Sequence, residues 1–171
     1  MKILSVFILL ILLFTATTYS QYKWTDAQYH YQTGSVPPPY FFEYDVFINA
    51  GGQGSLVYHS SYSTDSTSKM DNYTFTVNAS DISSLNNAIK KSKVLTATFK
   101  EMENHPIGGS MQNAVILLYQ DPALDHMPQR ITTPYFPASS KQKKALEVLY
   151  GKIKSLVPQT IWDEIESKKT K

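Results

Sequence analysis

The sequence has no cysteine among its 171 residues. A disulfide framework, a zinc site with thiolate ligands, a nucleophilic thiol and a lipid-modified cysteine are therefore excluded for this chain. Its stability must come from an apolar core, and about 150 residues are already enough to build one in a single domain. The lack of cysteine also suits an oxidising compartment, so it favours a bacterial periplasmic or extracellular location.

An excess of charge of one sign is also lacking, because 16 basic side chains stand against 14 acidic ones. A protein that binds nucleic acid usually has a basic stripe and a high pI. From Lys141 onward the lysines outnumber the acidic residues, but they fall on predicted helix faces and in the C-terminal tail. We interpret them as solvated helix surface and expect no nucleic-acid partner.

Long apolar runs are absent after residue 14. The one such run, Ile3–Phe14, follows Lys2 and precedes the more polar segment Thr15–Ser20. This order is typical of a secretory signal, and the run is shorter than the roughly 20 apolar residues that span a bilayer. We expect export to the periplasm or the medium, cleavage after Ser20, and no transmembrane segment after the signal.

The segment Tyr40–Ser60 has the pattern of a β-hairpin. Apolar and polar residues alternate from 42 to 49 except at Phe47, three glycines follow within 51–54, and the alternation then resumes. Because Phe41 and Phe47 interrupt the polar side of the first strand, we expect both of its faces to contact apolar groups. Two alternating runs around a glycine cluster are a strong hairpin signal.

The rest of the chain predicts four more strands and three helices. Ser80 is the expected N-cap of the first main helix, and Ser139 or Ser140 that of the second. The strand at 111–119 is apolar without a gap from Ala114 to Tyr119 and should be central, whereas Pro134 makes the last strand an edge strand. The strands are predicted at 73–77, 94–103, 111–119 and 130–136, and the helices at 81–92, at 140–157 and after Pro158.

Together these elements predict an α+β fold. Its single antiparallel sheet has about five to six strands, with two main helices and a short C-terminal helix packed on one face. The order of elements in 40–92 is similar to that in 94–157, which is consistent with two similar halves. We expect a signal peptide at 1–20, an aromatic and proline-rich arm at 21–39, one domain at 40–166 and a frayed basic tail at 167–171.

The arm at 21–39 contains aromatic residues and ends in three prolines. Trp24, Tyr29 and Tyr31 lie there among polar residues without a steady period. One interpretation is an exposed arm whose rings stack on sugars or on a partner protein. The other is a segment tucked along the domain edge, because aromatic rings bury a large area wherever they pack.

No stretch of the sequence commits the chain to a chemistry. Ser110 follows two glycines but enters a strand, so it lacks the strand-to-helix turn of a nucleophile elbow. Glu43 and Asp45 are about 7 Å apart on one strand face, a separation that inverting glycosidases use, yet two acids on an outer face also simply keep a strand soluble. His126 lies near two aspartates without the spacing of a metal site. We expect no catalytic residue, no metal and no cofactor.

The glycine-turn hairpin at Phe42–Tyr58 is followed by a serine-capped helix at Ser80–Ile89. In these two features the chain resembles uncharacterised small exported bacterial α+β domains, over a span of residues 40–157. The resemblance implies an exported α+β domain, and it brings no activity and no site residues with it.

We therefore expect an exported, non-catalytic domain that binds an unknown protein or glycan, or that inhibits an enzyme. Polar loops on a rigid sheet are the usual place for recognition, and we predict that Ala50–Gly54, Ser61–Asp71 and Asn104–Ser110 meet at one end of the sheet. One alternative is a carbohydrate-binding module that uses the N-terminal aromatic residues, and another is a hydrolase with an unrecognised site. The predicted binding residues are Trp24, Tyr29, Tyr31, Gly52, Gln53, His105 and Gly108.

Overall fold

The structure is a computed structural model that describes residues 24–37, 40–60, 69–105, 108–119 and 129–169. The predicted signal peptide with its cleavage site, His126 and most of the loop at 61–71 lie outside the described residues.

Six strands and three helices form in the described part of the chain. The strands are β1 (Trp24–Gln32), β2 (Glu43–Asn49), β3 (Gln53–His59), β4 (Met70–Thr76), β5 (Met111–Leu118) and β6 (Arg130–Thr132). The helices are α1 (Ala79–Ser92), α2 (Ser140–Ser155) and α3 (Gln159–Lys169). All neighbouring strands pair antiparallel in one sheet, in the order β4-β3-β2-β1-β5-β6. This architecture confirms the predicted α+β fold.

The β2–β3 hairpin forms where the alternating pattern predicts it. Tyr44, Val46 and Ile48 of β2 are buried, and Leu56 and Tyr58 continue the same face on β3. The residues between them point to the opposite side of the sheet, because side chains alternate along a strand. We call the side under the helices the covered face and the opposite side the open face.

All three helices pack on the covered face and complete one core. Tyr150 of α2 lies against Tyr29 of β1 with ring centroids 5.2 Å apart, and Trp162 of α3 meets Tyr44 of β2 edge to face at 5.1 Å. Each large apolar side chain buried in this way contributes about 1.5–3 kcal/mol. The fully buried helix residues are Leu85, Ile89, Leu146, Leu149, Ile153 and Ile165.

The segment 24–32 is an interior strand of the sheet, so the prediction of an arm is wrong for these residues. As β1 it pairs with β2 on one side and β5 on the other, and the domain therefore begins before residue 40. Residues 26–32 alternate regularly between the two faces. A β-bulge between Trp24 and Asp26 shifts the register and turns Trp24 into the core.

The predicted strand at 94–103 does not form. Lys93 is the C-cap that follows the last residue of α1, and its left-handed conformation (φ 59°) directs the chain into a turn. Only Glu101 makes a strand-like bridge, to Pro137 in the connection between β6 and α2. Because this strand is missing, the two predicted halves are not equivalent in structure.

The helix ends agree with the predictions from the sequence, with two differences. Asn78, not Ser80, is the N-cap of α1 and accepts a hydrogen bond from the backbone N–H of Asp81 at 2.9 Å. Ser139 caps α2 as predicted. Helix α3 runs on to Lys169 through the expected tail, because Lys168 forms ion pairs with Glu164 of its own helix and with Asp71 of β4. None of the helices in the described residues has the length and hydrophobicity that crossing a bilayer requires.

Candidate functional site

The predicted loops lie at opposite ends of the sheet, which corrects the expectation that they share one end. The turn between β2 and β3 lies where β1 begins, because Asp26 pairs with Asn49. The segment before β5 lies where β1 finishes, because Gln32 pairs with Met111. His59 at the end of β3 and Met70 at the beginning of β4 pair with each other at that second end. Ala50–Gly54 therefore lies apart from the described residues of the other two loops.

The predicted aromatic residues are mostly in the core. Trp24 is 7% exposed and Tyr29 is fully buried, so neither presents a ring face to a ligand. Burial raises the pKa of Tyr29 well above its usual value, and its hydroxyl donates to Oε1 of Gln112 at 2.8 Å. Tyr31 is partly exposed, but its ring already stacks against that of Tyr44, with a centroid distance of 5.1 Å.

The other predicted binding residues are dispersed. Gly52 is buried at the hairpin turn, where its φ of 87° and its contact with Val77 require a glycine. Gln53 is exposed next to it. His105 and Gly108 lie near the other end of the sheet, where the His105 ring stacks on Phe136 at 4.4 Å. The structure therefore separates Gln53 from His105 and Gly108.

Paired ionisable groups occur on the open face, although they do not form a catalytic set. Nδ1 of His30 lies 2.9 Å from Oδ1 of Asp45, so one of the two acids singled out in the sequence has a histidine partner. The other ring nitrogen faces Oε1 of Gln32 at 3.4 Å, where a hydrolase would place a nucleophilic hydroxyl. Among the described residues, no three His, Asp or Glu side chains are arranged to hold a metal ion.

A groove of about 590 Å³ lies between the end of α1, the turn that follows it and the beginning of α2. Its apolar lining comes from Ala97, Phe99, Ala138 and Ala145. The volume is in the range of small-molecule sites, which are mostly apolar with a few well-placed polar groups. Sequence analysis missed this groove because it predicted a strand where one of its walls forms.

Hydrogen bonds between distant segments hold the walls of this groove together. The side-chain amide of Gln142 on α2 donates to the carbonyl of Thr98 at 2.9 Å, and the N–H of Ala138 donates to the carbonyl of Lys100 at 3.0 Å. The carboxylate of Glu101 accepts the N–H groups of the Tyr135 and Phe136 backbone. The shape of the groove is therefore set by bonds between residues 98–101 and 135–142.

Four lysines line this groove, and none of the described residues in its lining is acidic. They are Lys91, Lys93, Lys100 and Lys141, and none of them takes part in an ion pair among the described residues. The first turn of α2, which carries the positive end of the helix dipole, opens onto the same space. We call this site the lysine-rimmed groove.

The lysine-rimmed groove combines an apolar floor with an uncompensated positive rim, which is the complement of a molecule with an apolar body and an anionic head. Its four lysines come from three separate segments, so no local motif announces it in the sequence. Comparison of the sequence with models of protein families and with curated proteins gave no match.

Proposed function

We propose that this protein is an exported, non-catalytic binding domain whose ligand is a small amphipathic anion held in the lysine-rimmed groove. The observation that supports the proposal is the lining itself, in which four lysines and, within the described part of the chain, no acidic residue surround an apolar floor. Two other cavities differ in this respect, because the one beside Tyr31 includes Glu166 and the one around Phe47 includes Asp26.

The apolar part of the ligand lies against Phe99 and the three alanines. Removing apolar surface from water is favourable by about 25 cal/mol per Å², so a longer acyl chain binds more tightly until the groove is full. The small alanine side chains leave the space that the chain occupies. A larger side chain at one of these positions closes it.

The anionic head lies among the lysine ammonium groups. These side chains are exposed, so each contributes a modest and salt-dependent attraction, and four of one sign select for charge. The ligand is distinguished from nucleic acid by its apolar body, which a sugar-phosphate backbone lacks.

Calorimetric titration with dodecanoate, dodecanol and dodecyltrimethylammonium, each below its critical micelle concentration, tests the ligand class. We expect binding in the order dodecanoate, dodecanol, dodecyltrimethylammonium, because the chain is the same and only the head changes. Equal affinity for the anion and the cation contradicts the proposal, and so does binding of a short oligonucleotide in place of all three.

Two pairs of matched variants locate the site. Lys91→Gln with Lys141→Gln removes two rim charges and should weaken dodecanoate binding about threefold to tenfold. Lys143→Gln with Lys144→Gln removes two exposed lysines of α2 that lie outside the groove and should leave binding unchanged. A loss of equal size in both double variants would refute the assignment.

Filling the groove tests its apolar floor. Ala145→Phe places a ring in the space and should abolish dodecanoate binding. Val148→Phe is the control, because Val148 is 56% exposed on the same helix and does not line the groove. Retention of full affinity by Ala145→Phe would rule out this groove as the site.

Export is a separate part of the proposal and rests on the sequence Lys2, Ile3–Phe14 and Thr15–Ser20. Fractionation of expressing bacteria should recover the protein outside the cytoplasm. The N-terminus of that material should be Gln21. Full-length protein confined to the cytoplasm would contradict export without affecting the ligand proposal.

A further inference from the structure

The open face of the sheet carries a second groove, of about 620 Å³. It runs across β1, β2, β3 and β4 on the side away from the helices. Four strands cover three inter-strand spacings, so the groove is about 14 Å across. That length can accommodate a chain-like ligand made of several repeating units.

Phe47 is the aromatic residue at the centre of this open-face groove, because the second aromatic residue of the lining, Phe75, belongs to the covered face and packs against the core. Its neighbours in β2, Val46 and Ile48, are buried on the covered face, whereas Phe47 points away from the core and is partly exposed. Its direct cross-strand partners are Gln28 and Ser55, which are polar. The ring therefore presents apolar surface in a polar setting, without packing in the core.

The polar lining around Phe47 consists of groups that hydrogen-bond. Asp26, Asn49 and Gln53 supply planar carboxylate and amide groups. Asn49 and Gln53 hold each other through bonds of 2.9 and 3.0 Å, which preorganises both side chains. The hydroxyl groups of Ser55, Thr74 and Thr76 complete the far side of the groove. No lysine or arginine is part of this lining in the described residues.

We infer that the open-face groove binds a neutral oligosaccharide, with one pyranose ring stacked on Phe47. A sugar ring offers an apolar face for the phenyl ring and hydroxyl groups that both donate and accept. The lining matches this because it has an aromatic platform, amides, hydroxyls and one carboxylate. A protein partner needs a larger apolar centre than a single ring, and an anionic ligand needs cations that this lining lacks.

This site is independent of the lysine-rimmed groove, because the two share no residue and lie on different sides of the molecule. It is also distinct from the predicted arm of Trp24, Tyr29 and Tyr31, of which the first two are in the core. Of the predicted binding residues, only Gln53 belongs to it.

Titration of the ¹⁵N-labelled protein with cellohexaose, xylohexaose, mannohexaose and chitohexaose, followed by amide chemical shifts, tests the inference. At least one of these sugars should shift the amides of Phe47, Ser55 and Thr74. The amides that line the lysine-rimmed groove should stay in place. The inference is overturned by the absence of shifts with all four sugars, or by shifts confined to another part of the surface.

Variants then test the role of the ring. Phe47→Ala should weaken the best of the four sugars about tenfold, and Phe47→Tyr should retain affinity within a factor of about three. Val57→Ala is the control on the same face, outside the groove. Thr74→Arg, at an exposed position, blocks the groove without altering the ring and should also weaken binding. Unchanged affinity in Phe47→Ala or, if that variant does not fold, in Thr74→Arg overturns the inference.

Discussion

Nδ1 of His30 lies 2.9 Å from Oδ1 of Asp45, and the two residues are direct cross-strand partners on the open face. The bond to Asp45 raises the pKa of His30 above its ordinary value, burial opposes the shift, and Glu43 adds to the increase. The folded protein therefore binds the His30 proton more tightly than the unfolded chain does. The pair stabilises the fold fully below a pH of about 6.5, and this stabilisation is lost as the pH rises through the higher pKa of the folded state.

We predict that Asp45→Asn lowers the free energy of unfolding by about 1 kcal/mol at pH values below the His30 pKa and by much less at alkaline pH. The estimate is modest because both side chains are partly exposed to solvent. Urea denaturation across the pH range measures the difference. His30→Gln is the control, since it should remove the pH dependence of the same step. A constant difference at all pH values would contradict the role of the pair.

Alanine substitutions at Gly52 and Gly151 should change the stability of the protein in opposite directions. At Gly52 the backbone is left-handed and a Cβ would lie 2.4 Å from the carbonyl oxygen of Val77, so Gly52→Ala should cost about 2 kcal/mol or more. At Gly151, within α2, a Cβ meets no atom, and Gly151→Ala should stabilise by about 0.5–1 kcal/mol. Thermal unfolding of both variants checks the signs. A stable Gly52→Ala variant would show that the turn differs from the one described.

The hydroxyl of Thr133 should contribute more to stability than that of Tyr150. Both belong to the buried set of hydrogen bonds that joins β5 to α2. The Thr133 hydroxyl accepts the N–H of Ala114 at 2.8 Å and lies 2.8 Å from the hydroxyl of Tyr150, whose pKa burial raises to about 12. Thr133→Val leaves the N–H of Ala114 without its side-chain acceptor and should cost about 2 kcal/mol, whereas Tyr150→Phe should cost about 1 kcal/mol. Chemical denaturation ranks the two variants, and the reverse order would disprove this account.

The N-cap of α1 should be Asn78 in solution. Its side chain accepts the N–H of Asp81, while Ser80 only donates its hydroxyl to Asn78. Asn78→Ala should therefore destabilise the protein by about 1 kcal/mol, and Ser80→Ala by a few tenths. Helix content and unfolding midpoints of the two variants separate the two assignments. A larger loss of stability in Ser80→Ala than in Asn78→Ala would show that Ser80 is the N-cap.

Salt should weaken binding in the lysine-rimmed groove selectively. Raising the ionic strength from about 0.05 M to about 0.5 M screens charges that are exposed, as the groove lysines are. We expect the affinity for dodecanoate to fall and that for dodecanol to stay nearly constant. Titrations at several salt concentrations measure both. Parallel changes for the two molecules would mean that the lysines do not contact the head group.

The sequence was sufficient to predict those features of the structure that depend on residues close together in the chain. The alternation of apolar and polar residues specifies the β2–β3 hairpin, and the spacing of Leu146, Leu149 and Ile153 specifies the buried stripe of α2. Pro134 restricts β6 to a short edge strand as expected. These features arise from side-chain direction and backbone sterics within a few residues.

Strand β1 carries a local strand signal, because polar and apolar residues alternate from Asp26 to Gln32. That signal does not say where in the sheet the strand lies. The bulge next to Trp24 disrupts that period, and the prolines that follow suggest an extended arm. Pairing with β2 and β5 decides the outcome, because it buries Ala27 and Tyr29 completely.

By itself the sequence determined the fold class, the hairpin and the main helices, because their patterns depend on residues close together in the chain. Only the tertiary structure placed β1 inside the sheet and brought Lys91, Lys100 and Lys141 around one apolar floor. It also left Phe47 on the open face among polar neighbours. These juxtapositions depend on strand pairing and on contacts between distant segments, and no local period encodes them.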